Sequence, residues 1–143
     1  MRGLRNQLSL FHHQVSTHIK LKDVDLDCLD LLGQHGPVGP NTLAKLAGLH
    51  PATMTGIVDR LQRGGWVTRE RDPQAADRRS VVLRVLPGRN RELFRLYGGM
   101  SSAMDEVCAR YTESELEVIT DFLRRTGSAG QRATTELMDT GER

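Results

Sequence analysis

At 143 residues the chain has the size of one domain, long enough to bury a core without disulfides or metal. Hydrophobic residues make up 38% and aromatics 4%, so the core rests on Leu, Val, Ile and Ala; no run reaches bilayer length and the N-terminus lacks a signal peptide's apolar stretch, which excludes a membrane partner and implies a soluble cytoplasmic protein. The net charge is only +2, but nine arginines against four acids between Leu49 and Arg91 make that segment +5 and the remainder −3, the footprint of something that meets a polyanion.

In chain order, Leu4, Leu8, Phe11 and Val15 form one helical stripe between about Arg2 and His18. A second helix opens on Asp23 and Asp25, carboxylates suited to the positive end of its dipole. Its apolar face is expected to be Val24, Cys28, Leu31 and Leu32, and Gly36-Pro37 ends it. Pro40 starts a short helix through Leu43, Ala44, Leu46 and Ala47, closed by Gly48. Pro51 starts the next, which runs to about Arg63. Met54, Ile57, Val58 and Leu61 fall on its inward face, and Gly64-Gly65 supplies a residue free to take positive φ.

Trp66, Val67 and Thr68 begin a strand. Asp72-Pro73 turns the chain, Asp77-Arg78-Arg79 occupies the loop, and Val81, Val82, Leu83 and Val85 return. Pro87-Gly88 ends this hairpin. A helix follows from about Arg89 to Ala109, weakened at Gly98-Gly99. Thr112 and Glu115 form a capping box for a helix bearing Leu116, Ile119, Phe122 and Leu123. Gly127-Ser128-Ala129-Gly130 is expected to interrupt it, with a short terminal helix around Leu137 and Met138.

The fold class is therefore mostly α with a small β-wing: a winged helix-turn-helix over residues 23–87, flanked by helical dimerisation segments at 1–22 and 88–143. The helix after Pro51 turns Ala52, Thr53, Thr55, Gly56, Asp59, Arg60 and Arg63 outward. Small and hydroxyl residues there suit close approach to base edges, and Arg60 and Arg63 reach guanine or phosphate. Asp59 sits poorly beside phosphate and is better placed to orient a neighbouring arginine. Arg78 and Arg79 on the wing suit a narrow minor groove, with Asp77 holding one guanidinium. Terminal stripes of Leu and Phe flank a domain with its own centre. A two-fold dimer would bury them and set two reading helices about 34 Å apart on a pseudo-palindrome. The alternative is that these helices fold back on their own domain.

Leu43-Ala44, the Thr53–Leu61 helix, Gly65-Trp66-Val67, Arg69, Asp72-Pro73, Asp77-Arg78-Arg79 and Leu83 together resemble the MarR family of transcription regulators. The resemblance covers nearly the whole chain in element order, with its specific core from Pro40 to Leu86. It implies a dimeric winged-helix DNA-binding protein, a repressor released by a small, aromatic or phenolic, effector. By position it makes Ala52, Thr53, Thr55, Gly56, Arg60, Arg63, Arg78 and Arg79 the contacts to double-stranded DNA. It places Leu4, Leu8, Phe11, Val15, Leu116, Ile119, Phe122 and Leu123 in a homodimer interface. Phe11, His12, Val15, Trp66 and Tyr97 are candidates to line an effector pocket. Two departures affect the wing: Gln74-Ala75-Ala76 lengthens it, and Leu86-Pro87-Gly88 replaces the usual Leu-Thr and Gly.

Rival functions find less support. The five histidines include no HxxxH pair, and no CxxC exists, so neither a metal nor another cofactor is implied. Cys28 and Cys108 lack a cationic sequence neighbour, as two buried thiols would, although a metal- or redox-responsive regulator of the same fold remains an alternative. No P-loop, GxGxxG, GxSxG or HExxH marks an enzyme. A winged-helix module that binds protein would lack the +5 segment.

Overall fold

A computed structural model describes residues 1–77 and 79–141. Arg78, one of the two expected wing contacts, lies outside the described residues. The elements are α1 (Arg2–His18), α2 (Asp23–His35), α3 (Pro40–Ala47), α4 (Pro51–Arg63), β1 (Val67–Arg71), β2 (Val81–Val85), α5 (Pro87–Cys108) and α6 (Glu113–Gly141). The fold is thus mostly helical with one small antiparallel sheet. Among the described residues, no helix is long and apolar enough to cross a membrane. The chain divides into two compact units, Met1–Leu96 and Tyr97–Arg143.

The first unit carries the core. Leu26, Leu29 and Leu32 of α2, Leu43 of α3, Met54, Ile57, Val58 and Leu61 of α4, Trp66 and Leu83 are all buried. The expected inward face of α4 is the observed one. For α2 the expectation is only half met. Cys28 and Leu32 are buried, but Val24 and Leu31 are half-buried, while Leu26, Leu29 and Asp25 are inside. The reason is that α2 packs on α1, α3, α4 and β2 at once, so no single stripe describes it.

Local chemistry sets the ends of the helix pair. Pro40 and Pro51 each occupy the first helical turn, where a missing N–H costs nothing. The His50 side chain caps α4, accepting the Ala52 N–H on Nδ1 at 3.1 Å. At the other end Gly65 takes φ +75°, and the Trp66 N–H returns to the Leu61 carbonyl at 2.9 Å. Gly64 is required for a different reason: a Cβ there would stand 2.8 Å from Cδ1 of Trp66.

In the hairpin Val67 pairs with Val85, Arg69 with Leu83 and Arg71 with Val81. The strand begins at Val67, one residue after the expected Trp66. The Leu83 N–H also donates to the Val38 carbonyl at 2.8 Å, so the segment before α3 joins the sheet through a bridge. In the wing loop, Asp72 accepts from the Gln74 N–H and Asp77 from the Arg79 N–H, both at 2.9 Å. These Asx turns fix the loop backbone. The Asp77 carboxylate therefore serves the backbone of Arg79, and no guanidinium pairs with it among the described residues.

Two further expectations need correction. Pro87 and Gly88 belong to the first turn of α5, since Pro is accommodated there. And α6 runs unbroken for 29 residues, straight through Gly127 and Gly130. Each glycine weakens a helix by only about 1 kcal/mol, too little to break one whose other residues favour it. The Thr112–Glu115 capping box is formed as expected: the Thr112 N–H meets Glu115 Oε2 at 2.8 Å and the Glu115 N–H meets Thr112 Oγ1 at 3.3 Å.

Candidate nucleic-acid interface

Helix α4 buries one face and exposes another, and the exposed one is short-chained. Ala52, Thr53 and Thr55 are exposed and Gly56 is half-buried, so nothing bulky stands between the backbone and an approaching surface. The Thr55 hydroxyl donates to the Pro51 carbonyl at 3.3 Å, which leaves its oxygen open as an acceptor. Arg63 is exposed at the end of the same helix.

The arginines of the basic segment separate into two groups. Four are held within the chain. Arg60 grips Asp25 through Nε and Nη2, both at 2.8 Å. Arg69 of β1 reaches back to α4, to Asp59 at 2.7 Å and to the Gln62 side-chain oxygen. Arg84 pairs with Glu70 across the sheet at 2.8 Å. Arg89 donates to the Gly64 carbonyl at 2.6 Å and lies 4.3 Å over the Trp66 ring. In contrast, Arg63, Arg71, Arg79 and Arg91 have no carboxylate partner among the described residues. Among the described residues, these arginines carry charge that no carboxylate of the chain offsets, with Arg63 Nε donating only to the Asp59 carbonyl at 3.4 Å.

The sequence-predicted contacts fare differently. Ala52, Thr53, Thr55, Gly56 and Arg63 share the open face of α4, and Arg79 is exposed on the wing. Arg60 does not stand free beside them. Its guanidinium is committed to a carboxylate 1% exposed, which also raises its pKa, chiefly through that hydrogen-bonded pair. Asp59 orients an arginine as expected, and that arginine is Arg69. Sequence reasoning missed Asp25, the His50 cap and the Arg89–Trp66 stack. Only the His-Pro step before α4 offered a local signal.

Of the expected dimer residues, Leu4, Leu8, Phe122 and Leu123 are exposed in the single chain, Ile119 borders on exposure, and Phe11 and Leu116 are half-buried. Val15 is a correction. It is 3% exposed because the C-terminal end of α1 packs on α2, so it belongs to its own unit's core. Within the first unit, the expected effector residues Trp66 and His12 line different clefts. Val15 is in the core and lines neither of these clefts. Trp66 is buried at the floor of a basic cleft of about 390 Å³ with Lys20, Lys22, Arg60, Arg63 and Arg89. His12 belongs to a separate cleft of about 380 Å³ with Asp27, Asp30 and Leu31. Tyr97 falls in the second unit. Burial, followed by Asp27 and Asp25, pushes the Cys28 thiol up to about 11, so it stays protonated at neutral pH and is a poor redox trigger.

Comparison with known proteins bears on the family and the fold. The MarR family model matches residues 21–81. An uncharacterised HTH-type transcriptional regulator of Bacillus subtilis, YcgE, is 36% identical over 85% of this chain and 78% of its own length. A second from the same organism, YdgG, is 25% identical over 76% and 73%. Among solved structures, a MarR family protein from Bacillus stearothermophilus superposes with a TM-score of 0.67 at 22% identity, covering 90% of this chain and 88% of that one. Apo MarR from E. coli gives 0.60 at 18% identity, covering 87% and 91%. These structures share the fold; the family model over residues 21–81 together with the match to YcgE shows that the chain belongs to the MarR family of DNA-binding transcriptional regulators.

Proposed function

We propose that the protein binds a pseudo-palindromic operator as a homodimer, with α4 in the major groove and the wing on the adjacent minor groove, and acts as a repressor that a small aromatic or phenolic effector releases. The observation that carries the DNA-contact part is the open Ala52–Gly56 surface of α4 with Arg63 at its end and Arg79 on the wing. The dimer part rests on the exposed apolar side chains of α1 and α6. Selecting bound sequences from a random oligonucleotide pool tests both, because a dimer on DNA returns a two-fold motif. A motif without symmetry would remove the dimer, and no motif would remove sequence-specific reading.

Two substitutions separate base contact from phosphate contact. Thr53→Ala is expected to lower preference for the selected site by about 1–3 kcal/mol while leaving affinity for random DNA unchanged. Arg79→Ala is expected to weaken both equally and to flatten the slope of log K against log salt by about 0.9 for each phosphate lost. Mobility-shift titrations at several salt concentrations check the two together. Equal loss on random DNA for Thr53→Ala would make it a backbone contact.

A further inference from the structure

We infer that Arg60 is a positioning residue of the reading helix, acting through the buried Asp25 carboxylate, and not itself a contact to bases or phosphate. The inference rests on the proposal that α4 enters the major groove.

Asp25 lies on α2 and is 1% exposed, yet both of its oxygens are used. Oδ2 accepts Arg60 Nε and Oδ1 accepts Arg60 Nη2, each at 2.8 Å. A carboxylate so deeply placed has no water to turn to, so it holds its partner strongly. The partner is 35 residues away in sequence, on α4. Two parallel bonds between a planar fork and a planar carboxylate fix direction as well as distance. Both helices also send apolar side chains into the core, Leu26, Leu29 and Leu32 from α2 and Met54, Ile57, Val58 and Leu61 from α4, and such burial is less directional than a forked ion pair. The pair therefore ties the roll of α4 about its own axis to α2, as the Arg69 contacts to Asp59 and Gln62 tie it to β1.

That roll matters at the other end of the helix. Arg60 sits one turn beyond Gly56, where a Cβ would lie 3.5 Å from Arg60 Nη1, and two turns beyond Thr53. Side-chain tips stand about 5–6 Å from a helix axis, so a roll of about 20° displaces them by about 2 Å. That exceeds the tolerance of a hydrogen bond to a base edge. Phosphate contacts from long, mobile arginines absorb such a shift. Loss of the pair should therefore erode discrimination while leaving electrostatic binding intact.

The test uses the full chain as Asp25→Asn, Asp25→Asn with Arg60→Met, and Arg60→Lys, each confirmed folded at the assay temperature by thermal unfolding. Affinities for the selected site and for random DNA are measured across a salt series. The expected result is a fall of about tenfold or more in the ratio of specific to random binding for Asp25→Asn, no further fall in the double variant, and salt slopes equal to wild type. Arg60→Lys, which keeps the charge but not the fork, should lose the same ratio, and if Asp25→Asn does not fold, Asp25→Ser, which likewise leaves Arg60 whole, takes its place. A ratio retained by Asp25→Asn but lost in the double variant would overturn the inference, because Arg60 would then touch a base. A slope reduced by about 0.9 in the double variant would overturn it too, as a phosphate contact. So would a ratio unchanged throughout. Failure of the underlying proposal looks different: the wild-type ratio would be near one, or Thr53→Ala would leave it unmoved.

Discussion

Replacing Phe122 and Leu123 together by Asp is expected to yield a monomer whose operator affinity is lower by about 10²–10⁴-fold. Phe122 and Leu123 are 58% and 59% exposed on α6 of the single chain, and Val118 beside them is 70% exposed. Large apolar side chains left open in such a group mark a surface that another surface covers. Carboxylates placed in an apolar interface lose their hydration without a dedicated partner, so they oppose the dimer. The DNA effect follows because the second half-site binds at an effective concentration set by the dimer. Removing that linkage forfeits the avidity without touching a contact to DNA. Sedimentation of the variant gives the mass, and titration with a single half-site is the control. Half-site affinity should be unchanged. A variant that stays dimeric would place the interface elsewhere.

Trp66→Ala is expected to cause the largest loss of stability, about 3–5 kcal/mol. Trp66 is the chain's one tryptophan, 1% exposed, at the junction of α4 and β1. Its ring packs against Gly64 on one side, and Arg89 of α5 stacks on it at 4.3 Å. Truncation removes the apolar burial, leaves a cavity and deprives Arg89 of its platform. For a unit of this size the melting temperature should fall by about 12–40 °C. Thermal unfolding followed by circular dichroism measures it. A fall of under about 4 °C would mean that the site collapses around the gap, and that the ring is not central to the unit. Arg89→Ala should reproduce a smaller part of the loss, since Trp66 keeps its other neighbours.

Both expectations draw on features that differ in how visible they were beforehand. The stripe on α6 could be read at once from Leu116, Ile119, Phe122 and Leu123, because helical spacing is a local property. The burial of Trp66 could not, because a Gly-Trp-Val step reads equally well as the start of an exposed strand. The same contrast runs through the interface. Prolines at the starts of α3 and α4, glycines after Arg63 and the Thr112–Glu115 box act on neighbours within a turn, and each did what its spacing implied. Gly127 and Gly130 suggest a break because breaker residues weigh heavily in a short window, but they weigh lightly in a helix of 29 residues.

The sequence by itself determined the helix pair, the hairpin, the inward face of α4 and the concentration of arginine around them. These follow from periodicity, capping and turn chemistry, which act over a few residues. Tertiary structure alone decided which of the described arginines are paired within the chain. Asp25, Glu70 and the Gly64 carbonyl are brought to Arg60, Arg84 and Arg89 only when α2, the sheet and α5 pack on the reading head. Charge is fixed by composition, but whether it faces a groove or a neighbouring carboxylate depends on partners 14 to 35 residues away, and no local rule carries that distance.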